Sequence, residues 1–348
     1  MAYAAISKPS LHMNTVLYTG DGSGATVSGV GFQPDLNWTK SRSDVLNHAV
    51  TDSGRGVQKT LYTNLDAEQD DVTNGLTAFN ADGYVHGDHA LWATNTATYA
   101  SWNWKANGAG SLNEVGTINS TVSVNTTNGF SLATYTGNGS TSQTVGHGLG
   151  VAPDMILMKA YDSSAYWWWM SHRGMSAVDK SLHINEINDE STNAQGITAR
   201  SSTTFGVGND TGCNSSGYNY VAYSFAQIKG YSRFGSYTGN GSTDGSVVYC
   251  GFKPAWLLIK CTSHDADWEV LDNKRSPENV ANEKLLPNSS AIESTSTANQ
   301  VDFLSNGFKI RASNDETNGS GRNYIFAAFA EEPLVANVGA NGIPATAR

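Results

Sequence analysis

Tyr18-Thr19-Gly20-Asp21-Gly22-Ser23, Tyr135-Thr136-Gly137-Asn138-Gly139-Ser140 and Tyr237-Thr238-Gly239-Asn240-Gly241-Ser242 are one phrase written three times in a chain of 348 residues. The tyrosine packs, and the Gly-Asx-Gly run supplies the positive φ of a tight turn, so the phrase reads as the end of a strand. A second phrase follows each time: Pro34 to Lys40, Pro153 to Lys159 and Pro254 to Lys260. Proline cannot donate to a ladder and so opens the strand, and the run behind it reads as strand buried on one or both faces. The first copy differs, because Asn37-Trp38-Thr39 interrupts its apolar run.

A gap-free alignment carries the repeat further. The eighth residue past each lysine begins another strand: His48 to Asp52, Trp167 to Ser171 and Trp268 to Asp272, followed by Arg55, Arg173 and Arg275. Each copy closes on an aromatic strand, Tyr99 to Trp104, Tyr220 to Phe225 and Tyr324 to Phe329. Self-similarity at a fixed period marks a repeat architecture. The expected fold is therefore all-β: three tandem diverged β-sandwich modules of jelly-roll or lectin-like topology. They span 17–106, 135–229 and 230–333, with an N-terminal arm over 1–16 and a C-terminal tail over 334–348. A linker over 107–134 is expected to give some of its length, from Thr121 onward, to the second module as strand. One short helix is expected over Ser276 to Leu286.

Composition narrows the class. Acids outnumber bases 31 to 21, a net charge of −10, and no Lys/Arg run occurs, which argues against nucleic acid and anionic membrane as partners. The start of the chain has no signal-peptide pattern, and no apolar run is long enough to span a bilayer. The three cysteines, Cys213, Cys250 and Cys261, form no CxxC pair, so neither a disulfide framework nor a zinc site is expected. The eight histidines recur at no equivalent position, and no Gly-x-Ser-x-Gly elbow is present. No enzyme, metal site or cofactor is read from these residues.

The phrases in their order resemble a family of repeat modules found in tailed-bacteriophage genomes, especially of marine phages. The likeness rests on the Tyr-Thr-Gly-Asn-Gly-Ser phrase, the Pro-to-Lys strand, Ala328-Phe329-Ala330-Glu331 and the terminal Pro344-Ala345-Thr346-Ala347-Arg348. It implies a non-enzymatic virion structural protein, a tail-fibre or spike-like component acting in host attachment and assembled in the host cytoplasm. Capsid decoration or a head fibre, and more remotely a polysaccharide depolymerase, are the alternatives. The implied partners are other virion proteins, a host surface glycan and further copies of the chain, in threes as fibres are.

Three residues are candidates for ligand binding: Tyr166, Trp168 and Arg173. In the gap-free alignment Trp169 falls with Val50 and Val270 in a core position, Trp167 shares its face, and Trp168 points outward, where an indole can stack on a sugar. The competing reading is that all three tryptophans are packing. Arg173 could grip a carboxylate-bearing glycan, the competing reading being a structural pair with a nearby Asp, as for Arg55 and Arg275. The acidic loops Glu68 to Asp71 and Asn188 to Glu190 lack the pattern of a calcium loop and read as solvated.

Overall fold

The computed structural model describes residues 4–295, 300–338 and 341–344. Its regular structure is almost all strand, in several antiparallel sheets, none of them closed. The described helices are one 3-10 turn, Pro9–Leu11, and two single-turn helices, Ala90–Ala93 and Thr211–Asn214. Ser276 to Leu286 is not helical: Glu283–Lys284 pairs as strand with Ser294–Thr295, and Val270 bridges Leu285. Tertiary pairing overrides the local helix preference there.

Three long sheets dominate, and each contains the same four strands in the same order. The opening strand (Met13–Thr19, Phe130–Thr136, Ser232–Thr238) lies beside the closing strand (Thr98–Trp104, Asn219–Phe225, Asn323–Pro333). The lysine strand follows (Leu36–Ser41, Met155–Ala160, Phe252–Cys261), then a flank strand (Ala49–Asp52, Trp169–His172, Glu269–Asp272). The phrase tyrosine faces the closing-strand tyrosine in every sheet: Tyr18 with Tyr99, Tyr135 with Tyr220, Tyr237 with Tyr324. The rings stack with centroids 5.0, 5.1 and 4.9 Å apart. Each closing tyrosine also caps the turn before it, its hydroxyl donating to Ala90, Thr211 or Asp315 carbonyl oxygen.

A three-stranded sheet packs on one face of each long sheet. These are Ala25–Ser28 with Gly83–His86 and Leu76–Asn80, Gln143–Gly146 with Thr204–Val207 and Ile197–Arg200, and Val247–Tyr249 with Gly307–Ile310 and Val301–Leu304. Strand alternation sends successive residues to opposite faces. In the third sheet Leu257, Ile259, Phe326 and Ala328 meet the small sheet, while Trp256, Leu258, Ile325, Ala327 and Phe329 turn the other way. The first sheet explains its interrupted pattern: Asn37 and Thr39 face the small sheet within a buried hydrogen-bond network with Ser101 and Asn103.

The other faces of all three long sheets join one core. At its centre stand Trp104, Phe225 and Phe329, each the fifth residue after its closing tyrosine. Their centroids are 6.2, 5.7 and 5.8 Å apart, so the three closing strands meet. The arrangement is cyclic. Gln69 N donates to Tyr161 O at 2.8 Å, Glu190 N to Thr262 O at 3.0 Å, and Glu293 N to Arg42 O at 2.8 Å. The acceptors are the second residues after Lys40, Lys159 and Lys260, so one bond type joins first to second, second to third and third to first.

Strand pairing corrects the gap-free alignment. Trp38 faces Val50 and Leu258 faces Val270, but the corresponding Leu157 faces Met170. The second loop between lysine and flank strands therefore holds one more residue, and the equivalents of His48 and Trp268 shift from Trp167 to Trp168. Asn64, Asn185 and Asn288 confirm the corrected set, since their side chains accept from His48 N, Trp168 N and Trp268 N.

Candidate binding groove

A slip of one residue along a strand exchanges its two faces. Trp168, expected outside, is fully buried and donates Nε1 to Tyr62 O at 2.7 Å, across to the first sheet. Trp268 does the same toward His183 O at 3.0 Å. Trp167, expected in the core, is 49% exposed, with its ring 5.0 Å from that of His183. Tyr166 is half-buried, 5.4 Å from Tyr218, and its carbonyl accepts from Lys159 Nζ.

Arg173 is not the equivalent of Arg55 and Arg275. Arg55 and Arg275 form buried pairs with Asp52 and Asp272, both at 2.6 Å. The second sheet has His172 and Met175 at those two positions, and His172 N donates toward the Met175 sulfur. Arg173 pairs instead with Asp154 at 2.8 Å and remains half exposed. The strand Trp169–His172 separates it from Tyr166 and Trp167. Tyr166 and Arg173 lie beyond opposite ends of that strand and Trp168 is fully buried, so the three candidate residues do not form one site.

What Arg173 does line is a groove of about 540 Å³ in the third part of the molecule. One wall is the opening strand from Arg233 to Thr238, the other the small-sheet strand at Ser246 to Tyr249. A second hollow of about 290 Å³, lined by Lys229, Gly230, Ser232, Arg233 and Tyr249, continues from it. The charged side chains lining both hollows are Arg173, Arg233 and Lys229, all basic in a chain of net charge −10. Asp154 holds Arg173 and also accepts Gln227 N, while Gln227 Oε1 accepts from Arg233 at 3.1 Å. Val247 and Tyr249 are 58% and 60% exposed on the groove wall.

Sequence reading passed over Arg233, Val247 and Tyr249. A signal existed: the equivalent triplets are Thr26-Val27-Ser28, Thr144-Val145-Gly146 and Val247-Val248-Tyr249. Only the third puts large apolar groups at both outward positions. The acidic loops, by contrast, are tied into the fold: Asp71 pairs with Lys59, Asp70 accepts from Tyr62, and Glu190 accepts from Ser176 N. Among the described residues no three of His, Cys, Asp and Glu gather as metal ligands would.

Fold and groove together define an all-β protein built of sandwich-like pairs of sheets around one common core, with an open, basic-rimmed cleft between two strand edges. The chain belongs to the family described as a domain of unknown function (DUF7483), whose model matches residues 8–333. No curated protein and no solved structure matches it.

Proposed function

We propose that the chain is three diverged copies of one β-sandwich module, and that it serves as a non-enzymatic structural and binding component of a bacteriophage virion, of the tail-fibre or spike type that acts in host attachment. The supporting observation is the cyclic core. Residues the copies share go into joining them: Trp104, Phe225 and Phe329 at the centre, and the same backbone bond at each of three interfaces. Three sandwiches locked this way give a rigid body with three related outward faces about one axis, the symmetry of a fibre. The exposed differences are left for recognition, with Trp167 beside His183 an indole face suited to a host-surface sugar and the basic groove suited to a neighbouring virion protein.

The test is electron cryo-microscopy of virions carrying a tagged copy of the chain. Density for the tag on the tail supports the reading. Density at capsid lattice positions replaces it with a decoration role, and absence from purified particles removes it.

A further inference from the structure

The groove has a counterpart in the second sandwich that is already filled. There the opening strand Phe130–Thr136 is not an edge. Ser120–Asn125 pairs along it from Phe130 to Tyr135, and Ser111–Asn113 pairs outside that. Just before this strand, Ile118 bridges Val145 on the small sheet, Ile118 N donates to Thr144 O, and Ser120 Oγ donates to Gly146 O. One extended segment thus joins the edges of both sheets, burying Ile118, Ser120, Val122 and Ser123.

Among the described residues the first and third sandwiches have no such segment, and their opening strands are sheet edges. An edge presents a row of unpaired N–H and C=O groups, the template for strand addition. The two gaps differ in chemistry. The first measures about 260 Å³, its outward residues are the polar Thr26 and Ser28, and Asn14 Nδ2 crosses it to the carbonyls of Gly29 and Val30. The third is about twice as large, offers Val247 and Tyr249, and has Arg233 where the first has Asn14.

We infer that the groove between Ser232–Thr238 and Val247–Tyr249 is an acceptor for an extended, acidic strand of a partner protein, which would cover the third sandwich as residues 117–125 cover the second. Backbone pairing along Ser232–Thr238 gives the affinity. Val247 and Tyr249 contact alternate side chains of the strand, and Arg173, Arg233 and Lys229 select carboxylates on its flanks.

The experiment uses the full chain and a labelled synthetic peptide of residues 111–126 as probe. Saturable binding is expected, with slowed hydrogen exchange at Ser236 and Thr238. A peptide with Asn113→Asp, Asn119→Asp and Asn125→Asp should bind several-fold more tightly at low salt, and Arg233→Glu should abolish that preference. Val247→Ser with Tyr249→Ser makes the third wall resemble the first at two exposed positions, and should weaken binding about tenfold or more without changing the melting temperature. No binding, unchanged affinity in the double variant, or protection confined to Phe130–Thr136 would overturn the inference. Concentration-dependent dimers without peptide, lost in the double variant, would make the occupant a second copy and overturn the assignment to a different protein. None of these outcomes depends on where the protein sits in a virion.

Discussion

Three adjacent tryptophans have three different surroundings, and their costs on removal follow from them. Trp168 is enclosed and holds a hydrogen bond to Tyr62 across two sheets. Trp168→Ala should cost about 3–5 kcal/mol, the range for emptying a buried tryptophan site, to which the orphaned carbonyl adds. Trp167 is half exposed and rests on His183, so Trp167→Ala should change stability by no more than about 0.5 kcal/mol. Urea unfolding of the two variants checks both, and equal losses would contradict the placement. Sequence alternation correctly showed that neighbouring tryptophans face opposite ways. It could not show which way, because the extra residue lies in the loop after Lys159, where spacing carries no packing signal. Arg173 looked like Arg55 and Arg275 only because an arginine follows each flank strand, one residue nearer its lysine in the second copy.

The flank strands show how equivalent elements can make one interface with different chemistry. Each ends against the closing strand of a neighbouring sheet. Asp52 Oδ2 accepts from the Tyr223 hydroxyl at 2.6 Å, and Asp272 Oδ2 from Trp102 Nε1 at 2.9 Å. In the second sheet His172 Nε2 lies 3.1 Å from Phe326 O, while His172 Nδ1 accepts from Gly174 N. Nε2 therefore carries the proton and donates. Burial foremost, then the positive charge of Arg200, holds His172 down to about 3 from its ordinary 6.5. Between those values the unfolded chain binds more protons than the folded one. The contribution is complete above pH 6.5 and is lost as pH falls toward 3. His172→Gln keeps an amide donor and removes the titration. The stability difference between wild type and this variant should therefore move against the wild type across that window in urea melts at stepped pH. An unchanged difference would mean that His172 does not carry the effect. At this scale the strands themselves were legible from their phrases and prolines, whereas the pairing of Ser120–Asn125 along a whole edge was visible only as alternation in a polar linker.

The whole molecule is held by a core that no sandwich owns. Leu36, Trp38 and Trp102 from the first sheet, Leu157, Val221 and Tyr223 from the second, and Trp256, Leu258 and Ile325 from the third belong to one buried cluster. The recurring phrases and their strands were legible in the sequence, but the meeting of the three long sheets in a ring was not, because the residues that close it have the same apolar character as any core strand. Closure has a thermodynamic consequence. A repeat array with separate cores unfolds as loosely coupled units, whereas three sheets that complete one another's core should unfold together. Each sandwich on its own would expose a face carrying several large aromatic side chains, far beyond the apolar patch a soluble monomer tolerates. Calorimetry of the full chain should therefore show a single transition with equal calorimetric and van't Hoff enthalpies. The fragment 111–229, which carries every strand of the second sandwich, should when cut free of the other two bind a hydrophobic dye and lack a cooperative melt. Three resolved transitions, or a fragment that melts cooperatively, would show that the private cores under the small sheets suffice and that the common core only joins finished domains.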